Sequence, residues 1–352
     1  MATKTFVSGN WVGGVWNAVG DPVASDDCLL NDSSGNCVIN TGAVGRSLNC
    51  TGYTGTLSQS DALTIGDGTT GNVTFAAGMT YSSPGTITLA STAAGNTLTS
   101  TGKTLGFVNV NGTGGEWTLQ DALNASTGLQ LQSGSLVTNS QAVTCQSLIT
   151  SGATTRSLTL GSSVITITGS STVWSAINGR NSTSAGITFD CGTSVICFTD
   201  TSSTDKAINN ANLTYHIFRL TMGGTGAFKF LGAGTFYAIQ TTGTPAAITL
   251  KFTHTTTYTF TGPTPLPSGT SGALVTLCSS TDNTAYTFNL SGQTISVDYM
   301  NVRDLTVTNG TLYCGTHSTD SGGNNANVIF TDPPAAASNP QAQFGIGTRI
   351  GI

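Results

Sequence analysis

The sequence predicts an all-β protein, a right-handed parallel β-helix or β-solenoid. Across residues 98–174, short apolar segments recur about every ten residues, and their apolar residues mostly lie two positions apart. Glycine, serine, asparagine and threonine separate these segments, and these residues turn a chain at low cost. Strands and turns that alternate without a helical stretch are typical of a chain wound into stacked coils.

Composition supports the same fold class. Charged residues make up 8% of the 352 residues, against roughly 25% in ordinary globular domains. Glu116 is the single glutamate and there are only five lysines. Good helix formers are therefore scarce, while the threonine, valine, isoleucine and aromatic residues that suit strands are common.

Several classes of function are disfavoured by the same counts. The net charge of −5 comes without a basic patch, which argues against nucleic-acid binding through phosphates. The chain lacks the long apolar run that membrane insertion requires. Its first residues, MATKTFVSGNW, lack the apolar core of a signal peptide. We therefore expect a protein made in a host cytoplasm that needs neither membrane insertion nor a cofactor.

The texture of the chain predicts five segments. Residues 1–37 are an N-terminal capping segment, 38–199 a first set of solenoid coils, and 200–212 a protruding loop or bend. A second set of coils occupies 213–330. Prolines then end the ladder because proline has no backbone N–H to donate, so 331–352 is a tail or an extended docking arm.

Apolar side chains near both termini are candidates for contacts. Trp11 and Trp16 are predicted to cover the open end of the first coil, with stacking on a sugar as the alternative. The final segment carries four apolar residues among polar ones, namely Phe344, Ile346, Ile350 and Ile352. They are predicted to dock on a neighbouring subunit, with a free tail as the alternative.

Three internal stretches resemble a family of Thr/Ser/Gly-rich repeat proteins encoded by tailed bacteriophages. They are residues 47–92, residues 97–123 and the run RSLTLGSSVITITGSS at 156–171. The resemblance covers nearly the whole chain.

The ends of the chain extend this resemblance. The opening with Trp11, Trp16 and Asp26-Asp27 is similar to the start of that family, and residues 295–330 are similar to its C-terminal block. The family usually carries a tryptophan before the final aromatic residue, whereas this chain has Val328-Ile329-Phe330. That detail departs from the family pattern.

The resemblance implies a phage origin, and the charge-poor rod suits a particle exposed outside a cell. We expect a non-enzymatic virion structural protein, a capsid-decorating or fibre-like solenoid that packs on other capsid or tail subunits. By analogy with phage appendages, a homo-oligomer is expected, with a homotrimer as the leading form. Neither a catalytic nor a metal site is expected.

A receptor-binding tail fibre is the first alternative. Such an adhesin would contact host surface glycans through aromatic side chains that lie outside the apolar alternation. The candidates are Trp174, Tyr237 and Tyr299, although each also fits an inward position.

A polysaccharide depolymerase is the second alternative, because paired carboxylates cleave glycosidic bonds. The candidate carboxylates are Glu116, Asp121, Asp298 and Asp304. Asp26 and Asp27 are poor partners, since adjacent residues on a strand point to opposite faces. The oxygen-rich run at 320–325 fits either a calcium site or a tight polar turn.

The eight cysteines contain no CxxC pair, which argues against a zinc site. Without a signal peptide, most are expected to be small buried side chains rather than disulfides. Cys28–Cys37 and Cys191–Cys197 are the two pairs whose spacing would permit a bridge.

Overall fold

A computed structural model describes residues 2–150, 155–175, 186–322 and 324–334 of the chain. Every helix or strand assigned in these residues is a β-strand, and the strands stack in parallel as a β-solenoid of about 14 turns. The predicted all-β solenoid class is confirmed. The right-handed sense of winding stays a prediction.

The strands of the first half are short apart from two long ones that bend around a corner of the coil. Their bounds are β1 Thr3–Asn10, β2 Val15–Trp16, β3 Asp27–Leu29, β4 Cys37–Ile39, β5 Ala43–Gly45, β6 Ser47–Asn49, β7 Thr56–Gln59, β8 Leu63–Ile65, β9 Val73–Thr74, β10 Thr80–Ser82, β11 Thr86–Leu89, β12 Asn96–Thr99, β13 Thr104–Leu119, β14 Leu123–Val137, β15 Val143–Cys145 and β16 Leu148–Ile149.

The second half continues in the same way. Its strands are β17 Arg156–Thr159, β18 Val164–Ile167, β19 Ser171–Ser175, β20 Ile187–Asp190, β21 Val195–Phe198, β22 Lys206–Asn209, β23 Thr214–Thr221, β24 Phe228–Leu231, β25 Gly234–Thr242, β26 Ile248–Phe252, β27 Thr257–Phe260, β28 Val275–Ser279, β29 Tyr286–Ser296, β30 Met300–Val302, β31 Leu305–Tyr313, β32 Thr319–Asp320 and β33 Val328–Ile329.

Parallel pairing in register joins successive coils. One ladder runs through β16, β19, β22, β24, β26, β28, β30 and β32. A second joins β15, β18, β21, β23 and β25. Lys206 pairs with Phe228 and Phe228 with Leu250, so these coils advance about 22 residues per turn.

Alternation along each strand places one set of side chains inside the coil. In β11, Ile87 and Leu89 are fully buried while Thr86 and Thr88 are only half-buried. The same pattern repeats along the rod, and the buried apolar side chains merge into one core that extends from Phe6 to Cys314. The period-two signal in the sequence therefore predicts the inward face correctly.

The N-terminal segment combines an aromatic cluster with strands of the first coils. β1 pairs in parallel with β3 and β4, and in antiparallel fashion with β2. Trp11 and Trp16 are buried, and the Trp16 ring lies edge-on to Trp11 and to Phe6 at centroid distances of 5.3 and 5.2 Å. The Trp11 indole N–H donates to the Val44 carbonyl oxygen at 2.9 Å, which fixes the cluster on the following coil.

Within the predicted protruding loop or bend 200–212, residues 201–204 are exposed and lie outside any strand, but the segment is not a loop throughout. It contains β22, which pairs with β19 before it and β24 after it. The polar residues that predicted a loop include Lys206, whose side chain is buried and paired with Asp200. Its satisfied charge allows this segment to stay in the ladder.

The proline-rich segment 263–267 forms no strand. Pro263 is exposed, whereas Pro265, Leu266 and Pro267 are buried. The Pro265 carbonyl oxygen accepts a hydrogen bond from the Ile239 amide at 2.8 Å, so the loop still contacts the preceding coil.

Candidate binding surfaces

A polar groove lies on the outer face of the first coils. Its volume is about 370 Å³, and its polar lining comes mainly from Thr3, Asp27, Arg46, Asn49, Asn72 and Thr74. This volume is in the range of small-molecule sites, which begins at about 300 Å³.

In-register pairing builds this groove from residues far apart in sequence. Asp27 pairs with Thr3 on one side and with Ser47 on the other. Two residues further along the same strands, Asn49 pairs with Leu29 on one side and with Thr74 on the other. Residues two apart on each strand share the outer face, so both rows line the groove.

Hydrogen bonds fix the polar groups of the groove. The Asp27 carboxylate accepts from the Arg46 guanidinium and from the Ser47 hydroxyl. Arg46 also donates to the Thr70 carbonyl oxygen at 2.7 Å. The guanidinium charge is therefore neutralised by Asp27 within the groove.

Two asparagine amides in the groove have a defined orientation. Asn49 Oδ1 accepts from the Thr51 amide at 2.9 Å, and Asn72 Oδ1 accepts from the Thr97 amide at 2.9 Å. Because backbone donors occupy both oxygens, each Nδ2 amino group is left as a donor on an exposed side chain.

The neighbouring Asp26 has a different role. Its side chain is buried and lies 3.6 Å from the Lys4 ammonium, while Asp27 faces the groove. Asp26 lies in the bend before β3, and Asp27 is the first residue of that strand. Because the two carboxylates have separate partners, Lys4 and Arg46, they are poor partners for one bond.

Tyr237 is an exposed aromatic residue on the outer surface. Its exposed fraction is 40%, and its ring stacks on the His216 ring at a centroid distance of 4.7 Å. The residues lie on the neighbouring strands β25 and β23, which brings the rings together across one ladder step. This position agrees with the outward orientation that the adhesin alternative requires of Tyr237.

A second stack joins Tyr299 and His317, with ring centroids 4.6 Å apart and an interplanar angle of 7°. His317 Nδ1 lies 2.7 Å from Asp298 Oδ2, and the carboxylate orients the exposed imidazole. Desolvation raises the pKa of Asp298, but hydrogen bonds from His317 and the Tyr299 amide outweigh it and hold that pKa below its ordinary value. Tyr299 has a φ of +56°, an uncommon conformation for a bulky residue.

Trp174 does not belong with these surface aromatics. It is completely buried, its indole N–H donates to the Tyr215 hydroxyl at 3.4 Å, and its ring lies edge-on to Phe218. Trp174 therefore has the inward orientation that was the alternative for this residue, and its ring cannot contact a glycan.

The carboxylates of the depolymerase alternative are distributed along the rod. Glu116 lies on β13 and Asp121 in the turn that follows it. Asp121 accepts from the Ser100 amide at 2.7 Å and from the Thr101 amide, which makes it a turn-stabilising residue. Near the other end, Asp304 is fully buried and contacts the Arg303 guanidinium at 3.5 Å.

The polar run beginning at Asp320 is held by amide donors. Asn325 Nδ2 donates to Asp320 Oδ1 at 2.8 Å, and Asn325 Oδ1 accepts from the Leu305 amide at 2.9 Å. Asn324 Nδ2 donates to the Asp304 carboxylate at 3.3 Å. Nitrogen donors rather than oxygen ligands face these carboxylates, which favours the tight polar turn over calcium.

All eight cysteines are free thiols, and six of them are buried. Neither candidate bridge, Cys28–Cys37 nor Cys191–Cys197, is formed. Burial raises the pKa of Cys145 to about 12, and that of Cys37 to about 12 as well. These thiols therefore remain protonated at neutral pH and act as small packing residues.

The four apolar residues of the predicted docking arm, Phe344, Ile346, Ile350 and Ile352, lie outside the described residues. Across the described part of the chain, no group of three or more His, Cys, Asp or Glu residues is placed to hold a metal ion. The same residues contain no helix long and apolar enough to cross a membrane.

The groove residues Arg46, Asn49 and Asn72 were not identified from the sequence. Each looks like an ordinary turn or surface residue, and the register of distant strands is what brings them together.

A scan against protein-family models and searches of curated proteins and of solved structures return no match for this chain.

Proposed function

We propose that this chain is a non-enzymatic virion structural protein of a tailed bacteriophage, a rigid β-solenoid that decorates a capsid or forms a fibre. The observation that carries the proposal is the unbroken stack of about 14 turns around one core. Each coil hydrogen-bonds to its neighbours along the axis, so the rod resists bending and local opening.

The outer surface supports this proposal through its uncharged hydrogen bonds. Ser58 and Ser82 hydroxyls lie 2.8 Å apart, and Asn309 Nδ2 donates to Asn289 Oδ1 at 3.2 Å. These contacts join side chains of neighbouring coils and do not depend on charge. Salt screening weakens exposed ion pairs, whereas uncharged contacts of this kind persist in changing ionic conditions.

In this proposal the rod packs on other capsid or tail subunits, as a homo-oligomer with a trimer as the leading form. The terminal residues Phe344, Ile346, Ile350 and Ile352 supply the docking contact. A cryo-EM map of the intact virion tests the assignment directly. Density for the solenoid on the capsid lattice or in a fibre is expected, and particles that lack the chain would refute it.

Oligomeric state is tested separately by light scattering on the purified full-length chain. The expected mass is three times the 35.7 kDa of one chain. Replacing all four arm residues with serine is expected to reduce incorporation into particles while leaving the solenoid folded. Full incorporation of that variant would contradict the docking role.

A receptor-binding adhesin is the second candidate, and the exposed Tyr237–His216 stack is the observation that favours it. Aromatic faces offer a flat apolar surface to the C–H groups of a sugar ring. Tyr237→Ala is expected to reduce adsorption of the protein to host cells. Leu231→Ala is the matched control, because Leu231 is 38% exposed on a different ladder.

A further inference from the structure

We propose that the polar groove over the first coils binds a neutral saccharide. This inference concerns a site other than the Tyr237–His216 stack, and it holds wherever the rod sits on a virion. The groove has a volume of about 370 Å³, which is large enough for one or two sugar units.

The direction of the hydrogen-bonding groups identifies the ligand chemistry. Asn49 and Asn72 each use Oδ1 to accept a backbone N–H, which leaves both Nδ2 groups as donors. The hydroxyls of Thr3 and Thr74 lie on the same lining. Sugar hydroxyls both donate and accept, so they match a lining of amide donors and threonine hydroxyls.

The charge of the groove favours a neutral ligand. Asp27 and Arg46 are the charged residues of the lining, and they are paired with each other. An acidic sugar would gain little from a guanidinium that is already neutralised, and it would face the Asp27 carboxylate. Leu29, half-buried on the outer face, offers an apolar surface for the C–H side of a pyranose ring.

The spacing of the donors is set by the ladder. Asn49 pairs with Thr74, and Asn72 lies two positions before Thr74, so the two amides are diagonal neighbours on adjacent coils. Adjacent strands lie about 4.8 Å apart and two residues span roughly 6.6 Å along a strand, so this diagonal is about 8 Å long. The diagonal is longer than one pyranose ring, so a disaccharide laid along it would meet both amides.

The proposal is tested by isothermal titration calorimetry on the full-length chain. The neutral probes are tetrasaccharides of glucose, mannose, galactose and N-acetylglucosamine, and tetragalacturonate is the acidic comparison. At least one neutral probe is expected to bind. Asn49→Asp and Asn72→Asp keep the Oδ1 acceptor but remove the Nδ2 donor, so each should weaken binding roughly five-fold, as expected for one lost hydrogen bond.

Asn289→Asp is the matched control, because Asn289 Oδ1 also accepts a turn amide, from Ser291, but lies near the other end of the rod. It is expected to bind like the parent chain, and so is Tyr237→Ala. Three outcomes would each overturn the proposal. They are that no neutral tetrasaccharide binds, that tetragalacturonate binds more tightly than the neutral probes, or that the folded Asn49→Asp/Asn72→Asp variant binds with unchanged affinity. Loss of binding only in Tyr237→Ala would overturn it too, by assigning the sugar to the aromatic stack.

Discussion

Two parts of the rod fill the same interior with different side chains. In the aliphatic coils, residues 86–168, the described apolar core is mostly leucine, isoleucine and valine, with Trp117 as its one buried aromatic residue, and Arg156 is also buried there. In the aromatic coils, residues 187–290, eleven of the buried side chains are phenylalanine or tyrosine. Strands of successive coils pair in parallel in both parts, although the pairing of β13 with β14 in the aliphatic coils contains register shifts.

The aromatic coils show what in-register pairing does to flat rings. Phe230 and Phe252 are paired on neighbouring coils, and their rings stack with centroids 4.9 Å apart at 12°. The strand spacing of about 4.8 Å sets the spacing of these two paired rings. Tyr286 extends the column by stacking on Phe252 at 5.1 Å and 14°, although Tyr286 lies on β29 and the ladder partner of Phe252 is Ser279. Each of these rings contacts several others. The aliphatic coils lack this continuous column, so their packing is the more tolerant of substitution.

The largest expected effect comes from interrupting the aromatic column. Phe252 contacts Phe230, Tyr258, Tyr286 and Phe288. Phe252→Ala should cost about 4 kcal/mol of local stability, whereas Leu158→Ala in the aliphatic coils should cost about 3 kcal/mol. Hydrogen exchange followed by mass spectrometry measures both, because it reports opening coil by coil.

The two variants should also differ in how far the damage spreads. Loss of protection should extend over the coils on both sides of Phe252 but remain near Leu158. Phe252→Leu is the control that keeps an apolar side chain while removing the ring. Equal spread in all three variants would remove the distinction between the two sets of coils.

A loss of stability of intermediate size is expected when Asp200, near the start of the aromatic coils, is replaced. Lys206 is buried, lies 3.0 Å from Asp200, and places its ammonium 5.7 Å from the Phe228 ring centroid. Asp200→Asn leaves that ammonium without its counter-charge and should cost about 3 kcal/mol at neutral pH. Denaturant unfolding monitored by hydrogen exchange would measure the loss.

The same variant gives a pH dependence. Desolvation raises the pKa of Asp200, but hydrogen bonds from Ser202 and Lys206 outweigh it, so the folded pKa lies below 3.8. The contribution of a group with a lowered pKa is present above its unfolded pKa and is lost as the pH falls through the folded value. The stability gap between parent and Asp200→Asn should therefore close below pH 3.8; a constant gap would exclude the ion pair as its source.

The smallest effect is expected at the exposed pair nearby. Asp205 and Lys229 lie 2.6 Å apart, but their side chains are 42% and 37% exposed. Asp205→Asn keeps an oxygen to accept from the Ala227 amide and should cost about 0.5 kcal/mol or less. High salt should abolish that difference in equilibrium unfolding, and a loss as large as that of Asp200→Asn would contradict the burial argument.

The sequence was sufficient to predict the fold class and the inward residues of most strands. Alternation is a local signal, and Ile87 and Leu89 show how directly it reports burial. Binding surfaces depend instead on which coils lie side by side. Asp298 and His317 are brought together by the step between two coils, and no local pattern encodes that step.

Trp174 shows the limit of the local signal in another way. An aromatic residue beside polar neighbours fits either face of a strand, and only its contact with Tyr215 and Phe218 settles its burial. Lys206 shows the reverse case. A charged residue predicts a surface loop, but the buried ion pair of Lys206 with Asp200 keeps this residue in the ladder. In both cases a distant partner decides the position.

The length of chain between paired residues varies widely along the rod. Leu158 pairs with Phe189, whereas Asn301 pairs with Thr319 only 18 positions later. Coils of different length therefore still pair strand to strand along the rod. During evolution such a molecule can gain or exchange surface loops one coil at a time, and the same property would let an engineered peptide epitope be displayed at a chosen height on the rod.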